Sequence, residues 1–243
     1  MTSIVVPAYN EGGRIGSTLI EIIRYMGGRA RDFEVVVVDD GSSDDTVEVV
    51  RAVSAGEPRL RLLCNGVNRG KGYSVRRGIL ESGGEAVLFS DADLSTPIEE
   101  YDNLLGYLDG YDLVIASRSL PDSDVAVHQP AYREIMGRTF NLMVQALLLR
   151  GIIDTQCGFK LMKGYVAREI AARQRIDGFS FDVEMILIAK RLGYKYLDVP
   201  VRWINSPHSR VHPLGDSVNM MLDLFRIKLY DIAGLYTKRL ERE

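Results

Sequence analysis

Histidine and cysteine are scarce in this chain, with three of the former and two of the latter among 243 residues. His128, His208 and His212 share no metal-ligand spacing, and Cys64 and Cys157 form neither a zinc pattern nor a disulfide framework. Both thiols are expected to stay reduced in a cytosolic setting, with Cys157 packing as a small apolar residue. Surplus charge is missing as well: Lys and Arg number 30 against 33 Asp and Glu, a net −3. Without a global basic field, no nucleic acid partner is expected. Long apolar runs are absent too. The longest, near NLMVQALLL, reaches about half the ~20 residues that a membrane-spanning helix needs. The opening MTSIVVPAYNEGG lacks the basic-then-apolar order of a signal peptide, so neither a span nor a leader is expected. No internal repeat or low-complexity stretch is visible.

Apolar residues make up 46% of the chain, enough to fill the core of one domain with a helical appendage. Short apolar runs alternate with segments of helical spacing. Ser3–Pro7 reads as a strand, and Ile15, Leu19, Ile22 and Ile23 then recur along one helix face. Glu34–Val38 is a β-branched run suited to a strand covered on both faces. Ser43 or Asp44 is placed to cap a helix carrying Val47, Val50 and Val53. Leu60–Cys64, Ala86–Ser90 and Leu113–Ser117 read as further strands, with helices over Tyr73–Ser82 and roughly Glu99–Leu108. This order predicts an α/β fold, a largely parallel sheet between helices with right-handed crossovers. Ligands of such sheets bind beyond the carboxyl ends of the strands.

Three strand ends carry polar chemistry. PAYNE places Tyr9 and Glu11 where they can stack on a base and bind a ring nitrogen or ribose, or form a turn with a solvated Glu. VVVVDDGSSDDT puts Asp39 and Asp40 directly after a buried strand, with Gly41 for a sharp turn. Capping explains Ser43 and Asp44 but leaves Asp39 to accept hydrogen bonds from a base or ribose. The third is Asp91-Ala92-Asp93. Carboxylates at i and i+2 of extended backbone point to one side and repel each other unless a cation intervenes. Hard oxygen ligands suit magnesium or manganese, with substrate phosphates completing the shell.

PAYNE, VDDGSSDDT, NRGKGYSVRRG, DADLSTP and ASR stand in the order and spacing of the family 2 glycosyltransferases. IIDTQCGFKLM, FSFDVEMI and VPVRW resemble the polyprenyl-phosphate sugar transferases, most closely the dolichyl-phosphate β-glucosyltransferases and next the mannose synthases. The resemblance runs from Ile4 to about Tyr236, and DTQCGFK is its most specific piece. It implies a GT-A fold: a Rossmann-like, mostly parallel sheet flanked by helices in a catalytic domain over 1–212, then a C-terminal amphipathic helical segment over 213–243. It also implies a metal-dependent hexosyltransferase moving a sugar, UDP-glucose being the expected donor, onto polyprenyl or dolichyl phosphate with inversion. GDP-mannose as donor, or a soluble acceptor, are the alternatives. Pro7, Tyr9, Glu11 and Asp39 match positions around the nucleoside, and Lys71, Asp91 and Ala92 match donor-binding positions. Asp91 and Asp93 match the metal motif, Mg2+ or Mn2+, and Ser95 stands where mannose synthases carry a Gln of the metal shell, as a direct or water-mediated ligand. Arg118 and Arg133 match phosphate-binding arginines, while Ser209 and Arg210 align with a Ser-Lys pair.

A lipid monophosphate has a second pKa of about 6, so it attacks as an anion without a general base. The site must instead bring two anionic substrates together, which suits the guanidinium forks of Arg118, Arg133 and Arg210. For Arg133 and Arg210, a solvated surface position is the alternative. Asp154, heading DTQCGFK, sits either at the sugar or attacking phosphate, or holds its own stretch in shape. Asp182 and Glu184 either touch the sugar or favour a helix N-terminus. Val218, Met221, Leu222, Phe225, Leu229, Ile232 and Tyr236 recur at helical spacing beside Arg226, Lys228, Lys238, Arg239 and Arg242. That pattern suits peripheral contact with the cytoplasmic membrane face, packing on the catalytic domain, or a homodimer contact. A sugar nucleotidyltransferase would open with a Gly-rich phosphate loop, which PAYNEGG is not. A silent binding module could lose Asp93, and a processive synthase would need spanning helices.

Overall fold

The computed structural model describes residues 1–29, 32–127, 131–205 and 215–238. Strand β1 (Thr2–Ala8) leads through helix α1 (Gly12–Gly27) to β2 (Phe33–Asp39), then α2 (Thr46–Ser54), β3 (Leu60–Cys64), α3 (Lys71–Glu81) and β4 (Ala86–Ser90). These form a βαβ series, and β1 pairs in parallel with both β2 and β4. The five strands expected from the sequence are present. Every residue of β1 is buried and β2 is nearly so, the mark of strands covered on both faces.

Helix α4 (Glu100–Leu105) and β5 (Leu113–Ser117) follow, then a short β6 (Asp124–Val127) and α5 (Ala131–Leu147). The chain then departs from simple alternation. Strand β7 (Phe159–Lys163) enters the sheet antiparallel between β4 and β5, giving the order β3-β2-β1-β4-β7-β5-β8. Helices α6 (Gly164–Arg173) and α7 (Phe181–Arg191), strands β8 (Tyr196–Pro200) and β9 (Arg202–Ile204), and helix α8 (Gly215–Ile232) complete the chain. Strand β9 pairs with β6 in a separate ribbon.

One core cluster joins the sheet to α1, α2 and α4, and the other joins it to α3 and α5 through α8. Helix α8 sends Leu224 and Ile227 into the second cluster, and Tyr236 beyond its end is buried there too. Each such apolar side chain contributes about 1.5–3 kcal/mol on burial. Packing on the domain thus takes one face of α8. Val218, Leu222, Phe225, Leu229 and Ile232 remain exposed on the other.

Candidate active site

The antiparallel entry of β7 shapes the site. Because β7 runs against β4, with Phe159 opposite Ser90, its first residues lie beside the carboxyl end of β4. Asp91, just past β4, donates its backbone N–H to the Gly158 carbonyl at 2.9 Å. Gly158 is needed there: a Cβ would lie 2.0 Å from Asp91 Oδ2. Beyond β5, Arg118 arrives at the same edge from the other side.

Asp91 and Asp93 both face a cavity of about 980 Å³. Leu94 turns the chain after them at a φ of 45°, a strained value for a non-glycine residue, and the Ser95 N–H donates to Asp93 Oδ1 at 3.0 Å. The Ser95 carbonyl accepts the Ile204 N–H at 2.7 Å, which ties this turn to β9. Asp91 Oδ1 is buried and accepts no hydrogen bond of good geometry, although Lys71 Nζ stands 2.6 Å from it as an ion pair. Burial opposes the Lys71 charge, but Asp91 and Asp182 outweigh it and raise the Lys71 pKa. On the other flank, Arg14 pairs with Glu11 and lies 4.0 Å from Asp93 Oδ2. Among the described residues no three His, Cys, Asp or Glu groups gather as a protein-only metal cage. A buried carboxylate oxygen whose one close partner among the described residues is the Lys71 ammonium, beside a second carboxylate on an open cavity, fits a hard cation that would take its remaining ligands from phosphate and water.

Arg118 and Asp154 form one unit. Arg118 Nε and Nη2 reach Asp154 Oδ2 and Oδ1 at 2.7 and 2.8 Å, and the Arg118 backbone N–H adds a third bond at 3.0 Å. Burial disfavours both charges. Mutual attraction outweighs it, lowering the Asp154 pKa below the usual carboxylate range and raising that of Arg118. Both residues line the cavity, with the Arg118 guanidinium 5.4 Å over the Trp203 ring. Cys157 is buried beside Thr96, and burial with nearby Asp154 pushes its thiol up to about 11.

Asp182 and Glu184 face the interior. Asp182 pairs with the fully buried Lys160 and reaches the cavity floor. Glu184 accepts the Arg175 and Ile176 N–H groups at 3.0 and 2.8 Å and the Tyr236 hydroxyl at 2.8 Å. Sugar contact by Glu184 is therefore set aside, since its oxygens are used inside the core.

Tyr9, Glu11 and Asp39 group at the ends of β1 and β2, outside that cavity. Tyr9 is exposed, and Pro7 lies within buried β1. Asp39 is buried and accepts the Gly41 and Ser42 N–H groups at 3.1 and 3.3 Å, so it does carry turn bonds. The N-cap position of α2 is Asp45, which makes no side-chain cap bond, so neither Ser43 nor Asp44 caps the helix; Asp44 Oδ1 instead accepts the Thr46 N–H at 3.0 Å in the turn that leads into it. Asp40 accepts the Arg69 and Gly70 N–H groups at 3.0 and 2.8 Å and so shapes the turn before Lys71. Ala92 is buried, its carbonyl bonded by Thr18. Arg133 lies in α5 but its side chain falls outside the described residues, as do Ser209, Arg210 and the three histidines. Sequence reasoning missed Arg14, Gly158 and Trp203. The i, i+3 spacing of Glu11 and Arg14 was the available signal for the first.

A strand-end crevice of this kind, on a mostly parallel sheet, is where ligands of α/β folds bind. The family model for glycosyl transferase family 2 matches residues 3–171, and the chain belongs to that family. A dolichyl-phosphate beta-glucosyltransferase of Dictyostelium discoideum is 35% identical over 96% of this chain and 76% of its own length. The Homo sapiens protein of the same name is 31% identical over 99% of this chain and 78% of its own. Among solved structures, glucosyl-3-phosphoglycerate synthase from Mycobacterium tuberculosis, in complex with Mn2+, UDP-glucose and phosphoglyceric acid, superposes with a TM-score of 0.66. That match covers 94% of this chain and 79% of the other at 22% identity, a likeness of fold.

Proposed function

We propose that this chain transfers glucose from UDP-glucose to a dolichyl or other polyprenyl phosphate, giving a β-linked lipid-phosphate sugar. One observation carries the reading: a single cavity is lined both by the Asp91–Asp93 carboxylates and by Ile135, Met136, Phe140, Trp203, Met220 and Met221. A phosphate on an apolar chain needs both kinds of lining. The names of the relatives point the same way.

In this reading Asp91 and Asp93 would hold Mg2+ or Mn2+, whose charge would offset that of the departing diphosphate. Tyr9, Glu11 and Asp39 take the nucleoside, and Lys71 the diphosphate. Arg118, oriented by Asp154, presents its remaining N–H groups to phosphate oxygen. The acceptor anion needs no base, so the residues position the substrates for a single displacement with inversion. Arg133 and Arg210 remain proposed acceptor-phosphate contacts.

Among the described residues no helix is long and apolar enough to cross a membrane. The exposed stripe of α8, Val218 to Ile232, has Arg226 and Lys228 to either side at helical spacing, although Arg226 also pairs with Asp223 at 3.0 Å. Ile135 and Leu142 of α5 are exposed as well. This composition suits the interface of an anionic leaflet, and we assign it to the cytoplasmic face of the membrane.

Transfer assays test the reading, with UDP-glucose, UDP-N-acetylglucosamine or GDP-mannose against dolichyl phosphate or 3-phosphoglycerate. UDP-glucose with dolichyl phosphate should give the highest kcat/KM. Preference for GDP-mannose or for the soluble phosphate would replace the donor or the acceptor assignment. Retained anomeric configuration, or a sugar adduct on Asp154 by mass spectrometry, would overturn the single displacement.

A further inference from the structure

Lys71 is the first residue of α3, delivered by a turn in which Gly70 has a φ of 104°. That turn is positioned by contacts that leave the lysine side chain out. Asp40 binds the N–H groups of Arg69 and Gly70, and the Tyr73 N–H donates to the Asp177 carbonyl at 3.2 Å. A Cβ on Gly70 would meet that carbonyl at 2.3 Å, and one on Gly72 would meet the Ile176 carbonyl at 2.5 Å. The backbone is thus seated on the 176–177 loop whatever Lys71 does. Its Nζ nonetheless lies 2.6 Å from Asp91 Oδ1, a buried oxygen with no other close partner among the described residues.

We propose that Lys71 is a place-holding cation: its ammonium neutralises Asp91 until a nucleoside diphosphate arrives, then moves to the diphosphate as the divalent cation takes the carboxylates. The inference rests on the Asp91–Asp93 metal reading. A divalent cation held by Asp91 would compete with the ammonium for the same oxygen, and two cations repel each other across it. Donor phosphates resolve the conflict by giving Lys71 anionic oxygens of its own. Lysine suits the exchange, because a point charge on a four-carbon stem swings between partners without the planar fork that ties Arg118 to Asp154. Asp182 also favours the ammonium, while its own ion pair is with Lys160. Metal and donor then bind with positive coupling, each tightening the other by the same factor.

Mn2+ binding to the full chain, followed by electron paramagnetic resonance with and without UDP, tests this. Lys71→Met should bind Mn2+ alone at least about tenfold tighter than the wild type, and its coupling to UDP should fall by the same factor to what direct metal–phosphate contact supplies, within the roughly 5- to 150-fold range of coupled sites. Lys71→Arg, which keeps a cation, should retain the weak binding of Mn2+ alone. Mn2+ should also raise the melting temperature of Lys71→Met more than that of the wild type. Lys71→Gln carries the same comparison should the Met variant misfold. Equal or weaker Mn2+ binding by these neutral variants without UDP, while the wild type binds Mn2+ with UDP, overturns the place-holder and leaves the metal site standing. Failure of the wild type to bind Mn2+ even with UDP, matched by Asp93→Ala, overturns both.

Discussion

The guanidinium of Arg118 and the carboxylate of Asp154 meet edge to edge through two side-chain bonds of 2.7 and 2.8 Å, 36 residues apart in sequence. Both Asp154 oxygens are engaged, so this carboxylate acts through Arg118. Asp154→Ala leaves a partly buried guanidinium unpaired and should destabilise the fold by roughly 3 kcal/mol. Denaturant unfolding measures that loss. Arg118→Lys keeps the charge but not the fork, and should lower kcat/KM by about tenfold or more in steady-state assays. Asp154→Ala with unchanged stability would mean the pair does not hold the site.

The same pair sets a pH dependence. The Asp154 pKa is lower in the folded chain than in the unfolded one, burial being outweighed by Arg118. Its stabilisation is therefore complete above the ordinary carboxylate pKa of about 4, and is lost as pH falls through the lower folded value. The stability difference between wild type and Asp154→Ala should be constant from pH 5 to 7 and shrink below about pH 4. Unfolding curves across that range check it, and a gap that widened in acid would contradict the assignment.

Gly158→Ala would force a methyl against the Asp91 carboxylate, at 2.0 Å from Oδ2. The carboxylate is the end of a side chain and can rotate, so the fold should survive. A displacement of about 1 Å at a site of this type costs roughly 10²-fold in rate. Circular dichroism should be unchanged while Mn2+ affinity and transfer both fall. Normal Mn2+ binding would show that Asp91 keeps its place.

Asp93→Ala and chelation should each reduce transfer by orders of magnitude, and added Mn2+ should restore only the chelated wild type. Asp39→Ala should weaken UDP binding by about 1.5–3 kcal/mol, the size of a lost hydrogen bond to a charged group. Calorimetry measures it, and because Asp39 also holds Gly41 and Ser42, a melting curve must accompany the titration.

Parallel strands were legible because their residues are apolar on both faces, so the runs at Val35–Val38 and Val87–Phe89 read directly as strands. The carboxylate turn was legible because its two residues stand two apart in sequence and share one chemistry. Strand β7 was not. FKLMK carries two charges in five residues and breaks the apolar run expected of a buried strand, yet Lys160 is fully buried because Asp182, 22 residues later, meets it in the core. The Arg118–Asp154 pair hid for the same reason: partners brought together by topology leave no local spacing. In Glu184, sequence showed a charge near a helix start, whereas the structure uses it to bind loop N–H groups and Tyr236.

The reversed strand also orders events during synthesis. The segment up to Ser90 contains β1 to β4 in a parallel series of short crossovers, and it carries Tyr9, Asp39 and the turn before Lys71. A ribosome-bound chain can therefore pair its first four strands early. Asp91 acquires its Gly158 contact, and β5 its link to β4, only after 163 residues have emerged and β7 has slid between them. Until then β4 presents an open strand edge, the kind of surface that nascent chains must shield from pairing with one another.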